Sequence, residues 1–89
     1  MVRYRIRFYG SVQGVGFRYI ASHAANAYRI TGYVKNEYDG SVICEVQGSE
    51  AEIDRFLEMI ESARFIEVTD MEKTKLTEDP EERNFEVRF

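Results

Sequence analysis

Residues 2–28 read VRYRIRFYGSVQGVGFRYIASHAANAY, and the organisation of the whole chain follows from them. Val2, Tyr4, Ile6 and Phe8 alternate with Arg3, Arg5, Arg7 and Tyr9. A period of two over that length is a strand with one apolar face. Gly10-Ser11-Val12-Gln13-Gly14-Val15-Gly16 then breaks the period. Phe17, Ile20, Ala21, Ala24, Ala25 and Tyr28 recur at helical spacing, which predicts a helix of about 12 residues with a stripe of mostly small side chains.

Working outward, Tyr33 to Asn36 is a short second strand. Glu37-Tyr38-Asp39-Gly40 is a turn, and its Asp-Gly pair is a strong hairpin signal. Val42, Cys44 and Val46 alternate with Ile43, Glu45 and Gln47 in a third strand that stops at Gly48. Ser49 with Glu52 matches a capping box and opens a second helix on Ile53, Phe56, Leu57 and Ile60. Val68 to Leu76 reads as a strand of imperfect alternation, and Phe85, Val87 and Phe89 as a short closing one, with an acidic loop at 78–82 between them. The order is βαββαβ plus an extra terminal strand. This predicts an α+β, ferredoxin-like split βαβ sandwich: an antiparallel sheet with two helices on one face. The 89 residues are expected to form a single domain, 1–89, with no internal repeat.

Charge is unevenly placed. Residues 1–36 carry six bases (Arg3, Arg5, Arg7, Arg18, Arg29, Lys35) and no acid, whereas residues 37–89 carry sixteen acids against six bases. The total of -4 argues against bulk nucleic-acid or membrane binding. The acid-free segment nevertheless offers a place for a small anion. One cysteine excludes an intrachain disulfide framework, and one histidine excludes a His-rich metal cluster. No apolar run is long enough for a membrane span and no secretory leader is evident, so a cytoplasmic setting is expected.

The glycine-rich turn carries most of the chemistry. Three glycines in seven residues let successive N–H groups converge. The following helix adds its open amides and the positive end of its dipole. Arg18 can fold back over such a cradle, and its planar fork suits bidentate contact with phosphate oxygens. Taken alone, the same stretch is also a plain strand-to-helix connection with a solvated arginine. Asn36 ends the second strand with an amide able to hold a water, or it starts a turn for local reasons. Other candidates fall away. His23 lies opposite most of the apolar stripe. Cys44 shares a face with Val42 and Val46, as an inert buried thiol does. Ser11 has no base beside it. The strand-1 arginines suggest RNA, but Ser41 to Gln47 supplies none of the stacking aromatics that an RNA-recognition sheet needs.

Gly10-Ser11-Val12-Gln13-Gly14-Val15-Gly16-Phe17-Arg18 resembles the first signature of the acylphosphatases. Gly32-Tyr33-Val34-Lys35-Asn36, followed by Gly40, Val42 and Gly48, resembles the second. The resemblance implies a small enzyme that hydrolyses acyl phosphates to carboxylate and inorganic phosphate, with no metal or other cofactor. It implies that Gln13, Gly14, Val15, Gly16, Phe17 and Arg18 form the phosphate-binding loop, with Arg18 as anion clamp. Asn36 is the implied water-orienting residue. The expected partner is a small acyl phosphate, with phosphate or sulfate as inhibitor and the protein acting as a monomer. Alternatives at this stage are a non-catalytic anion-binding module and a domain of a larger maturation enzyme handling carbamoyl phosphate; the short chain favours a free-standing enzyme. One departure concerns Arg29, which ends the first helix where the family often has glycine; a left-handed residue there costs roughly 1–2 kcal/mol.

Overall fold

The computed structural model describes all residues from 1 to 89. The chain runs β1 (Val2–Ser11), α1 (Phe17–Ala27), β2 (Thr31–Asn36), β3 (Val42–Gly48), α2 (Glu50–Glu61), β4 (Glu67–Leu76) and β5 (Phe85–Arg88). The sheet order is β4-β1-β3-β2-β5. β1, β2, β3 and β4 pair antiparallel, as the split βαβ order requires. The terminal strand adds itself beside β2 in the parallel sense, which makes the complete sheet mixed.

One apolar cluster joins the two layers. Ile6 and Phe8 of β1, Val34 of β2, and Val42, Cys44 and Val46 of β3 are fully buried against Ala21 and Ala24 of α1 and Ile53, Phe56 and Ile60 of α2. The alanines let α1 lie close to the sheet, since a small side chain sets a short distance between layers. α2 begins as the sequence predicts. Glu52 N–H donates to Ser49 Oγ at 3.1 Å, and Ser49 N–H donates to Glu52 Oε1 at 3.2 Å.

The outer face of the sheet is polar, and part of it is covered. Arg3 points away from the helices yet is only 6% exposed. Its guanidinium donates to both oxygens of Glu82 at 2.7 and 3.1 Å, and to Glu45 at 3.0 Å. Gln47 and Asp79 exchange two hydrogen bonds, Nε2–H to the Asp79 carbonyl at 2.9 Å and Asp79 N–H to Oε1 at 2.7 Å. The acidic 78–82 loop therefore folds back over β1 and β3 and neutralises a base of the acid-free segment.

Two features of this frame place the functional residues. Phe8 is paired with Val42, and Val42 with Asn36, so Asn36 and the end of β1 lie in one row across the sheet. The Phe8 and Phe17 rings meet at 4.9 Å between centroids, tilted by 58°. That contact ties the first turn of α1 to β1 and closes the intervening loop.

Candidate active site

The loop between β1 and α1 is built to leave its amides open. Gly14 and Gly16 have φ of 73° and 81°, a region that side chains disfavour. Val15 packs against the core and Phe17 is 2% exposed, so neither side chain faces the loop's mouth. Gly16 stands at the N-cap of α1, with no side chain capping the helix and no acid in the first turn. None of the backbone hydrogen bonds outside the regular elements uses an N–H of residues 13–19 as donor. These are the groups that an anion satisfies, aided by the dipole of α1.

Arg18 lies in the first turn above these amides, half-buried. It shares a cleft with Gly14, Gly16, Phe17, Tyr19 and Asn36. The strand-1 arginines are engaged elsewhere: Arg3 and Arg5 with Glu45, and Arg7 with Glu37 at 3.9 Å, Asp39 at 3.7 Å and Glu72 at 3.9 Å. Arg18 makes no such ion pair. Its Cζ instead stands 4.6 Å from the centroid of Phe89. Asp39 is held further in place by the Ser41 hydroxyl and N–H, which donate to Oδ1 at 2.6 and 2.9 Å and pull its carboxyl below the usual range. The first acids after Asn36 are thus turned toward Arg7 and Ser41.

Asn36 is where two clefts meet. It borders the Arg18 cleft and a second one lined by Gln13, Lys35, Glu37, Tyr38 and Phe89. Its Oδ1 is hidden from solvent and meets no donor of the protein. A buried acceptor left so costs about 1–3 kcal/mol, and such atoms concentrate where function needs them.

The structure brings the loop residues Gln13 to Arg18 together with Asn36, but not all in the same capacity. Gly14, Gly16 and Arg18 face the cleft. Val15 and Phe17 can contribute only backbone. Gln13 sends its side chain away from the loop, to the carbonyls of Glu37 and Ser41 at 2.7 and 2.9 Å. Tyr19, Lys35, Tyr38 and Phe89 also line the clefts, and only Lys35, next to Asn36, had any local signal. His23 is exposed on α1 and Cys44 is fully buried, where desolvation pushes its thiol far up. No three His, Cys, Asp or Glu side chains are grouped to hold a metal ion. No helix is long and apolar enough to cross a membrane.

Fold and site together define a ferredoxin-like α+β domain with a glycine-rich loop of open amides between its first strand and first helix. The family model of the acylphosphatases matches residues 4–87. The acylphosphatase of Oceanobacillus iheyensis is 45% identical over 87 residues, covering 96% of each chain. That of Clostridium acetobutylicum is 43% identical over 90 residues, covering all of this chain and 99% of the relative. The crystal structure of acylphosphatase from Bacillus subtilis superposes with a TM-score of 0.92 at 34% identity, over the full length of both chains. The chain belongs to the acylphosphatase family, and its reaction is the hydrolysis of acyl phosphates.

Proposed function

We propose that the phosphoryl group sits on the amides of residues 13–18 under the Arg18 guanidinium, while Asn36 holds the attacking water. The observation that carries this reading is the position of Asn36 on the wall that the Arg18 cleft shares with its neighbour. Loop amides and Arg18 neutralise the charge that spreads over the phosphoryl oxygens as the bond to the acyl oxygen breaks. Asn36 keeps the water in line. Water oxygen bonds to phosphorus, the carboxylate leaves as a stable anion, and the water proton stays with the phosphate. An acyl phosphate dianion and water give a carboxylate and dihydrogen phosphate, so the charges balance. No step requires a metal, a cofactor or a protein base.

Inorganic phosphate and sulfate fit the same cradle as inhibitors. The free, buried Cys44 suits a reducing cytoplasm. A monomer is supported by the outer sheet face, which is occupied by its own ion pairs and the 78–82 loop.

The test is phosphate release from benzoyl phosphate in the presence of a chelator. Turnover is expected to continue undiminished. Asn36→Ala should lose about 10²–10³ in kcat and keep its inhibition constant for phosphate. Arg18→Ala should lose both rate and phosphate affinity. Phosphate bound without turnover by the unaltered protein would instead make it an anion-binding module.

A further inference from the structure

Gln13 opens the anion loop, yet its side chain leaves it. Nε2 donates to the Glu37 carbonyl at 2.7 Å and to the Ser41 carbonyl at 2.9 Å, which uses both of its N–H groups. The same two carbonyls close the turn between β2 and β3: Glu37 N–H donates to Ser41 O at 2.9 Å, and Gly40 N–H to Glu37 O at 3.2 Å. Each oxygen therefore accepts one bond from the turn and one from Gln13. Glu37 follows Asn36 directly, and Ser41 precedes Val42, the cross-strand partner of Asn36. One amide thus spans from the phosphate loop to both ends of the turn that begins beside Asn36.

No hydrogen bond to the protein fixes the Asn36 Oδ1, so the backbone at 36–37 has to place that side chain. The loop opposite contains two left-handed glycines, whose wide conformational range leaves it soft without an external tie. Alternatives to Gln13 fail for stated reasons. Asparagine is one methylene too short, leucine has no donor, and an ionised glutamate would set a carboxylate against two carbonyl oxygens.

We propose that Gln13 is a positioning residue: its side chain sets the separation between the phosphate loop and Asn36, while its backbone N–H stays in the cradle. The proposal rests on the water-holding role given to Asn36 above. It differs from a phosphate-ligand role for the side chain, because both donors are spent on the turn.

The experiment is a kinetic cycle on Gln13→Leu, Asn36→Ala and the double variant, with benzoyl phosphate as substrate and inorganic phosphate as inhibitor, below each variant's melting temperature. Gln13→Leu should lower kcat about 10- to 100-fold, as a misplacement of the order of an ångström does. Its phosphate inhibition should stay within about threefold of the parent, because the loop amides and Arg18 remain. The double variant should be no slower than Asn36→Ala, since Gln13 acts through Asn36. Gln13→Glu supplies a second readout: its rate relative to the parent should rise as pH falls, when a protonated carboxyl regains one donor for the turn. A Gln13→Leu rate equal to the parent's overturns the proposal. So does a further loss in the double variant, or phosphate inhibition weakened as much as kcat. A fully active Asn36→Ala would instead remove the water-holding reading itself, and the brace with it.

Discussion

The guanidinium of Arg18 stands over the ring of Phe89, 4.6 Å from its centroid, and no carboxylate comes within ion-pair range of it. An acid at that place would occupy the guanidinium donors and cancel the charge. An aromatic face holds the cation through its quadrupole and leaves the N–H fork free. Of the six bases of the acid-free segment, Arg3, Arg5 and Arg7 are matched by acids across the sheet, whereas Arg18, Arg29 and Lys35 make no ion pair.

Removing the ring should therefore loosen phosphate more than it slows chemistry. An exposed cation–π contact of about 0.5–1 kcal/mol converts to a loss of about two- to fivefold in phosphate affinity for Phe89→Leu. The inhibition constant of inorganic phosphate reads this directly, and kcat at saturating substrate should change little. Unaltered phosphate affinity would show that the ring does not hold the guanidinium.

Arg29 adopts φ of 58°, the one non-glycine residue of the chain in the left-handed region. Ile30 N–H donates to Ala25 O at 2.8 Å, the closing bond of a Schellman turn, and Ile30 is buried at 3%. The turn is thus built as a glycine would build it, with a strained and exposed arginine in the critical place. Arg29→Gly should raise stability by about 1 kcal/mol after allowing for the freer unfolded chain, or about 4–8 °C in Tm for a domain of this size. Thermal unfolding measures it, and a lowered Tm would mean that the Arg29 side chain contributes more than its backbone costs.

What the sequence made legible and what it hid divide along the range of the interactions. The β1 alternation, the Ser49–Glu52 box, the glycine loop and the Asp39–Gly40 turn are encoded within a few residues of each other, and each stands where expected. The parallel docking of β5 on β2 rests on a four-residue strand with no register signal of its own. β4 reads poorly because it is an edge strand, largely exposed, and because its pairing slips at Tyr9 and Gly10. The burial of Arg3 depends on Glu82, 79 residues away. Phe89 meets Arg18 only through the completed fold. For the site, the residue types were readable, but the direction of the Gln13 side chain was not.

Glu45 gathers the outer face. Its carboxylate accepts from Tyr33 at 2.8 Å, from Arg3 at 3.0 Å and from Arg5 at 3.1 Å. Burial resists its ionisation, but the Tyr33 hydroxyl and then the two arginines outweigh that, and its carboxyl lies below the usual range. Such a group stabilises the fold above the unfolded carboxyl value of about 4.3 and loses that contribution as pH falls through its lower folded value. Tyr33 runs the other way. Burial, then its bond to Glu45, raise its hydroxyl, so its contribution is full below about 10 and is lost as pH rises through the raised value. Glu45→Gln should cost about 1–3 kcal/mol at pH 7, by urea unfolding, and the gap from the parent should narrow below about pH 4. A gap independent of pH would assign the loss to shape rather than charge.

Neither cleft around Asn36 contains a histidine or a cysteine. His23 is stacked on Tyr19 at 6.4 Å on the exposed side of α1, and Cys44 is sealed in the core. Histidine is the side chain whose ordinary titration falls between about pH 5 and 8, so kcat should stay flat across that interval apart from the titration of the substrate's own phosphate. His23→Gln should leave the profile unchanged. A limb near neutrality that vanishes in His23→Gln would install a general base that the geometry does not provide. The chemistry explains why none is needed. A carboxylate departs as a stable anion without being protonated, and the phosphoryl oxygens are themselves basic enough to accept the proton of the water. On the proposed reading, what the protein supplies is charge from Arg18 and the loop amides and direction from Asn36.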